Sequence, residues 1–263
     1  MIDLHCHYLP CVDDGAQSVA EALALARAAV ANGITHAVLT PHVHPGRYEN
    51  TRSSLEPRIK AFRRVLQFQN IPLAVHLGGE VRFGMESFEL AARDELPIIG
   101  TWQGAKVILF EFTPGQLPVG AINAMAMLRK AGVTPLLAHP ERNKDILRDW
   151  RRLAPFVQEG CLVQVTAGSL LGHFGSSAKR AAKEMLDAGW VTLVATDAHN
   201  LEHRPPVLRE AHEALKHSFG ADAADALVEH NPARILGIGR EHTALAPPVD
   251  VPELTELASE SAA

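Results

Sequence analysis

Two kinds of hydrophobic run alternate along the chain. Short, almost unbroken runs rich in Val, Ile and Leu occupy residues 2–5, 34–40, 73–77, 106–112, 133–138, 161–166 and 191–196. Runs of this length without polar alternation predict strands of a parallel sheet covered on both faces. Between them, apolar residues recur at helical spacing over 18–31, 53–69, 119–130, 145–159 and 176–188. A further helical stretch covers 206–238, with a helix start at Asn231-Pro232. Gly33, Gly132, Gly160 and Gly189 stand where helices should close and turn into the next strand. Seven βα repeats without an internal break predict an α/β fold, one barrel-like domain over residues 1–242. A doubly wound sheet would need a glycine-rich turn after its first strand. That position holds His5-Cys6-His7-Tyr8-Leu9-Pro10 instead. Residues 243–263 are acidic, contain Pro and have no basic residue, the composition of a disordered tail.

Charge and composition narrow the function classes. Of 263 residues, 47% are hydrophobic and 21% charged, and the net charge is -5 with scattered Lys and Arg. No basic surface is available to neutralise a nucleic-acid backbone. No run approaches the roughly 18 apolar residues of a membrane span. The start, MIDLHCHYLP, lacks the basic-then-apolar pattern of a secretory signal. Three cysteines, Cys6, Cys11 and Cys161, make no disulfide framework. These features together predict a cytoplasmic protein. The 14 histidines are the departure, roughly twice ordinary usage.

The histidines are not scattered. The first apolar run ends in His5 and His7, whose i, i+2 spacing puts both on one face of an extended chain. The second ends in Thr40-Pro41-His42, with His44 two residues on, and the third in Gly78-Gly79-Glu80. The fourth carries Glu111 inside apolar surroundings, where an unpaired carboxylate would be costly. The fifth ends in His139-Pro140-Glu141-Arg142, the sixth in Thr166-Ala167-Gly168-Ser169, and the seventh in Thr196-Asp197-Ala198-His199. In a parallel barrel all these ends meet at one mouth. Imidazole and carboxylate together suit Zn²⁺, Mn²⁺ or Fe²⁺. The set exceeds the four to six ligands of one ion, so two or three ions are expected, with Glu80 able to bridge a pair. Such a centre acidifies water and clamps an anionic oxygen, which favours phosphoester hydrolysis. His36, His76, His212, His217, His230 and His242 lie outside this pattern and read as core or surface histidines.

Cysteine-based phosphate chemistry is disfavoured. It needs an Arg six positions after the Cys, and residues 12, 17 and 167 are Val, Gln and Ala. No serine nucleophile elbow or phosphate-binding glycine loop is present. Arg142, three residues after His139, and Arg204, five after His199, are placed to fork onto phosphate oxygens. His44 and Arg47, in a glycine-containing loop with Tyr48, are candidates for the entrance to the site.

These residues resemble a known family. Asp3-Leu4-His5-Cys6-His7 followed by Val12-Asp13-Asp14-Gly15-Ala16 looks like the opening of the polymerase-and-histidinol-phosphatase (PHP) superfamily. With Thr40-Pro41-His42, Gly79-Glu80, His139-Pro140-Glu141-Arg142 and Thr196-Asp197-Ala198-His199-Asn200, the chain is similar to bacterial manganese-dependent tyrosine-protein phosphatases of capsule and exopolysaccharide synthesis. The likeness runs from residue 2 to about 238. One departure is His42-Val43-His44, where relatives often have two adjacent histidines.

The resemblance implies a distorted (β/α)7 TIM-like barrel of PHP type holding three divalent ions, Mn²⁺ first and Fe or Zn as alternatives. It further implies His5, His7, Glu80 and Asp197 on one ion, Glu80, Glu111 and His139 on a second, and Asp14, His42 and His199 on a third. Arg142 and Arg204 match phosphate-contacting arginines. The implied substrate is a phosphotyrosine-containing protein, a bacterial tyrosine kinase, hydrolysed by a metal-activated hydroxide. Two other readings stand beside this one. One is a small-molecule phosphoesterase of the histidinol-phosphatase kind, and the other is a non-catalytic metal-binding regulatory module.

Overall fold

The computed structural model describes residues 1–239, so the expectation for 243–263 lies outside the described residues. Among the described residues there are ten strands: β1 (Ile2–Cys6), β2 (His36–Leu39), β3 (His42–Val43), β4 (Ala74–Leu77), β5 (Glu80–Arg82), β6 (Gly100–Trp102), β7 (Ala105–Glu111), β8 (Val133–Ala138), β9 (Leu162–Thr166) and β10 (Leu193–Ala195). Helices intervene between most of them, giving an α/β fold; β2–β3, β4–β5 and β6–β7 follow each other directly. All pairings are parallel except the β6–β7 hairpin.

The strands form two sheets, β1-β2-β4 and β10-β9-β8-β7-β5-β3. The second and third predicted strands each split between them. Past Pro41, which has no N–H to give a ladder, the second strand continues as β3 and pairs with β5 instead of β1. The third resumes after Gly78-Gly79 as β5. A Cβ on Gly78 would lie 2.4 Å from Val38 Cγ1, so only glycine permits this close passage. On the far side, β1 and β10 approach through one parallel bridge, Cys6 with Ala198. Backbone bonds accompany it from His7 N–H to Ala198 O (2.8 Å) and from Asp197 N–H to His5 O (2.7 Å). The hydrogen-bond ladder is therefore two sheets, not one unbroken ring.

The packing explains the unbroken apolar runs. One cluster gathers Ile2, Leu4, Val38, Val107, Leu109, Leu136, Leu162, Leu193 and Ala195, drawn from both sheets. The alternate residues Ala37, Leu39, Ile108, Phe110, Leu137, Val163 and Val194 belong to two outer clusters beneath the helices. Strands β2, β7, β8, β9 and β10 thus carry apolar residues on both faces. Helix Arg52–Phe68 shows how the outer layer is built. Thr51 caps it by accepting from Ser54 N–H, and Leu55, Ile59, Phe62 and Leu66 form one buried stripe. Each such side chain contributes about 1.5–3 kcal/mol of burial.

Three local expectations need correction. The helix predicted over 145–159 is broken into Lys144–Arg148, a 3-10 turn at Trp150–Leu153, and Ala154–Gln158. Asp149 is extended there (φ -151°) and its carboxylate caps Arg151 N–H. The stretch 206–238 is interrupted at Gly220, which ends helix Leu208–Phe219 at φ +86°. Helix Met85–Ala92 and the β6–β7 hairpin have no counterpart among the predicted elements. The hairpin turns on Gln103 and Gly104, both at positive φ (50° and 84°), the signature of a tight two-residue turn.

Candidate metal centre

The inner apolar faces continue, at period two, into the ligand-type residues. Val38 is followed by Thr40 and His42, Val107 and Leu109 by Glu111, and Leu193 and Ala195 by Asp197 and His199. Strand β1 reaches the same mouth by an irregularity. Its register slips between Asp3 and Cys6, so Ile2 and Leu4 pack inside while Cys6 packs outside. That slip turns His5 and His7 inward, the usual effect of a bulge.

Three overlapping groups result: His5, His7, Glu80 and Asp197; His7, Asp14, His42 and His199; and His42, Glu80 and Glu111. Within each, one ligand atom per residue lies within 4.8 Å of every other. His5 Nε2 is 3.2 Å from Asp197 Oδ1 and 3.4 Å from Glu80 Oε2, and His42 Nε2 is 3.2 Å from Asp14 Oδ1. His139 Nε2 sits 2.8 Å from Glu80 Oε1 and 4.0 Å from Glu111 Oε1. All nine sequence-predicted ligand positions are thus brought together. The groups overlap: His42 also faces Glu80 and Glu111, His7 also faces Asp14, His42 and His199, and His139 stands against Glu80 and Glu111 from the end of β8.

Backbone strain and second-layer bonds hold the groups in place. His139 and Asp197 are non-glycine residues at positive φ (32° and 52°), conformations that cost about 1–3 kcal/mol and persist only where neighbours enforce them. Asp3, fully buried, accepts from Thr196 N–H (2.9 Å) and Thr196 Oγ–H (2.5 Å) and so ties β1 to the Asp197 turn. Asp13 Oδ2 accepts from His7 Nδ1–H (2.6 Å) and His42 N–H (3.0 Å), while its Oδ1 accepts from Gly15 N–H (3.0 Å). His199 Nδ1–H donates to Asp197 O (2.9 Å). His5 Nδ1 faces Gln164 Oε1 at 3.0 Å. In all three histidines Nδ1 is engaged and Nε2 is left facing the carboxylates, the tautomer a metal requires.

The electrostatics point the same way. Burial lowers the basicity of His5 and His42, yet the carboxylates of Asp197 and Glu80 push His5 up to about 9, and Glu80 with Asp14 pushes His42 up to about 11. Burial and then the Glu80 charge raise the Glu111 carboxyl. Burial, then Arg142, pushes His139 down to about 4, and burial, then His7, does the same for His199. Carboxylates this concentrated call for positive charge. Asp197 Oδ1 and His199 Nε2 are buried and have no hydrogen-bond partner among the described residues, and Glu80 Oε2 is buried among imidazoles, 2.9 Å from His42 Nδ1. Orphaned lone pairs at the centre of an imidazole–carboxylate cluster fit divalent cations.

Arg142 and Arg204 both reach the mouth, where each donates to Asp197 Oδ2. Arg142 also lies over the Phe174 ring, 4.5 Å from its centroid. A recess of about 80 Å³ beside it is lined by Glu111, Phe112, His139 and Pro140, among others. His44 joins none of the three groups; it bridges to Tyr48, which stacks on His42 at 5.6 Å, and exposed Arg47 covers the Tyr48 ring. Asp3, Asp13 and Thr196 stand in the sequence motifs without an assigned role, and Gln164 and Arg82 stand outside them; Arg82 Nη2 pairs with Glu111 Oε2 at 2.7 Å. Gln164 carried the signal that singled out Glu111, a polar residue inside an apolar strand.

Residues 1–237 match the family described as capsular polysaccharide synthesis, CpsB/CapC. Tyrosine-protein phosphatase YwqE of Bacillus subtilis (strain 168) is 36% identical over 231 residues, 88% of this chain and 89% of that protein. Tyrosine-protein phosphatase CpsB of Streptococcus pneumoniae is 27% identical over 245 residues, 90% of this chain and 98% of that protein. A chain from the crystal structures of YwqE and CpsB, described as unique metal-dependent tyrosine phosphatases, superposes with a TM-score of 0.83 at 34% identity. It covers 94% of this chain and all of its own.

Proposed function

The chain belongs to the CpsB/CapC family, and from that premise we propose that it is a metal-dependent protein-tyrosine phosphatase acting on a phosphotyrosine-containing protein. The single observation that carries the reading is the convergence of nine imidazole and carboxylate side chains with two arginines at one mouth. His5, His7, Glu80 and Asp197 would hold one divalent ion, Glu80, Glu111 and His139 a second, and Asp14, His42 and His199 a third, with Mn²⁺ first and Fe or Zn as alternatives. Bound ions would supply Lewis acidity, which acidifies water and neutralises phosphate charge.

The chain's own residues do the rest. Asp13 and the Asp197 carbonyl fix the tautomers of His7 and His199. Arg142 and Arg204, each now on Asp197, would turn to the phosphoryl oxygens of the substrate and hold them by charged, forked hydrogen bonds. Arg47 and His44 flank the entrance and would meet the substrate chain. We place this activity in the cytoplasm, on a bacterial tyrosine kinase of capsule or exopolysaccharide synthesis. We take the two sheets as a distorted seven-stranded barrel forming one domain to about residue 242. No helix among the described residues is long and apolar enough to cross a membrane.

The test is a substrate panel with added Mn²⁺: phosphotyrosine peptide, phosphoserine peptide, histidinol phosphate and nucleotides. Preference for phosphotyrosine supports the reading, and preference for histidinol phosphate or a nucleotide replaces it with a small-molecule phosphoesterase. Metal uptake with no hydrolysis at all would leave a binding module.

A further inference from the structure

Gln164 sits on β9 with no exposed surface, on the inward side that Leu162 gives to the inner apolar cluster. A primary amide there is costly unless it is bonded. Its Oε1 lies 3.2 Å from the backbone N of His139 and 3.0 Å from His5 Nδ1. A backbone N–H can only donate, so the atom facing it is the amide oxygen and not the amide nitrogen. The same oxygen faces His5 Nδ1, which must therefore carry its proton and leave Nε2 as the free lone pair. His139 meanwhile is held at φ +32°, a backbone state its sequence does not favour.

We propose that Gln164 is a positioning residue that couples two of the ion sites, its one amide oxygen setting the tautomer of His5 and the strained backbone of His139 together. The role rests on the metal-centre reading above, in which His5 serves one ion and His139 another. Three strands contribute: His5 from β1, Gln164 from β9 and His139 from the end of β8. No other described side chain accepts from both residues. Removing the acceptor frees His5 to take the other tautomer and releases the His139 turn, so both sites should weaken in one step. Loss of a second-layer partner usually lowers metal affinity about 10- to 100-fold.

The experiment titrates metal-stripped full-length protein with Mn²⁺, by calorimetry, for wild type, Gln164→Leu and Gln164→Glu, beside the Tm of each stripped protein. Leu keeps the volume and removes the acceptor, and Glu keeps a carbonyl-type acceptor. The expected result is a 10- to 100-fold weakening of at least two Mn²⁺ sites together in Gln164→Leu, with most of the affinity returned in Gln164→Glu. Wild-type affinity in Gln164→Leu, or weakening confined to one site, would overturn the coupling. Equal loss in both variants, tracking an equal fall in the Tm of the stripped proteins, would show that Gln164 only fills space. If wild type itself binds no Mn²⁺, the metal centre falls and this role with it.

Discussion

Gly15→Ala tests how tightly the Asp13-Asp14-Gly15 turn is bound to the centre. A Cβ added at Gly15 would stand 2.1 Å from His7 O and 2.6 Å from His7 Cβ. Real Cβ contacts stay beyond 3.0 Å, so the turn or the His7 backbone must move by about 0.9 Å at least. The obstacle is backbone, which cannot swing aside as a long side chain would. Two bonds lie in the path of that movement: Ala16 N–H to His7 O (3.2 Å) and Gly15 N–H to Asp13 Oδ1 (3.0 Å). The first is worth about 0.5–1.5 kcal/mol and the second, to a charged acceptor, about 1.5–3 kcal/mol. Their joint loss predicts about 2–4.5 kcal/mol of destabilisation. At about 2–4 °C per kcal/mol for a chain of this size, Tm should fall by roughly 4–18 °C. The same displacement carries Asp13 off His7 and Asp14 off His42 and His199. A misplacement of about 1 Å in a catalytic set can cost about 100-fold in rate, and kcat should fall by up to that factor. Thermal melts followed by circular dichroism, with kcat on a phosphotyrosine peptide in Mn²⁺, read both effects. A variant with unchanged Tm, metal content and kcat would show that the turn yields freely and that the close approach to His7 has no role.

Three further outcomes are expected. Arg142→Ala and Arg204→Ala should each lower kcat/KM by roughly 10- to 150-fold, the worth of a hydrogen bond to a charged group. They should keep their metal and weaken inhibition by free phosphate, and loss of metal in both variants would recast the arginines as supports of Asp197. Mn²⁺ at 100 times its Kd should stabilise the fold by about 2.7 kcal/mol per site, read as a Tm rise that a chelator reverses; a Tm indifferent to both would refute ion binding by the folded chain. Exposed Cys11 should react with a thiol reagent under native conditions, whereas Cys6 and Cys161 should react only after unfolding. Both of the latter are buried, and burial pushes the Cys161 thiol up to about 12. Cys11→Ser should retain most activity, and a thousandfold loss with metal unchanged would move the nucleophile to sulfur.

Local periodicity determined much of this protein before any tertiary contact is considered. Apolar runs of strand length, helical spacing between them and glycines at helix ends specify alternating β and α elements. Gly33 and Gly189 do take the left-handed conformation that such helix ends demand (φ 89° and 70°). Histidines and carboxylates at the ends of those runs were legible as one centre because period-two geometry carries an inward-facing strand residue to the next inward position. What the sequence left open depends on contacts between residues far apart in the chain. That β2 and β3 pair with different partners is decided by Pro41 and by the passage of Gly78 against Val38, which brings two strands together in space. The slip in β1 that turns His5 and His7 inward exists only against β2. Asp3 bonds across 193 positions to Thr196, and Gln164 across 159 to His5. A buried carboxylate or amide announces in sequence that it needs a partner, but only the folded chain selects which partner, because hydrogen bonds form at about 3 Å and the strands fix what lies within that reach.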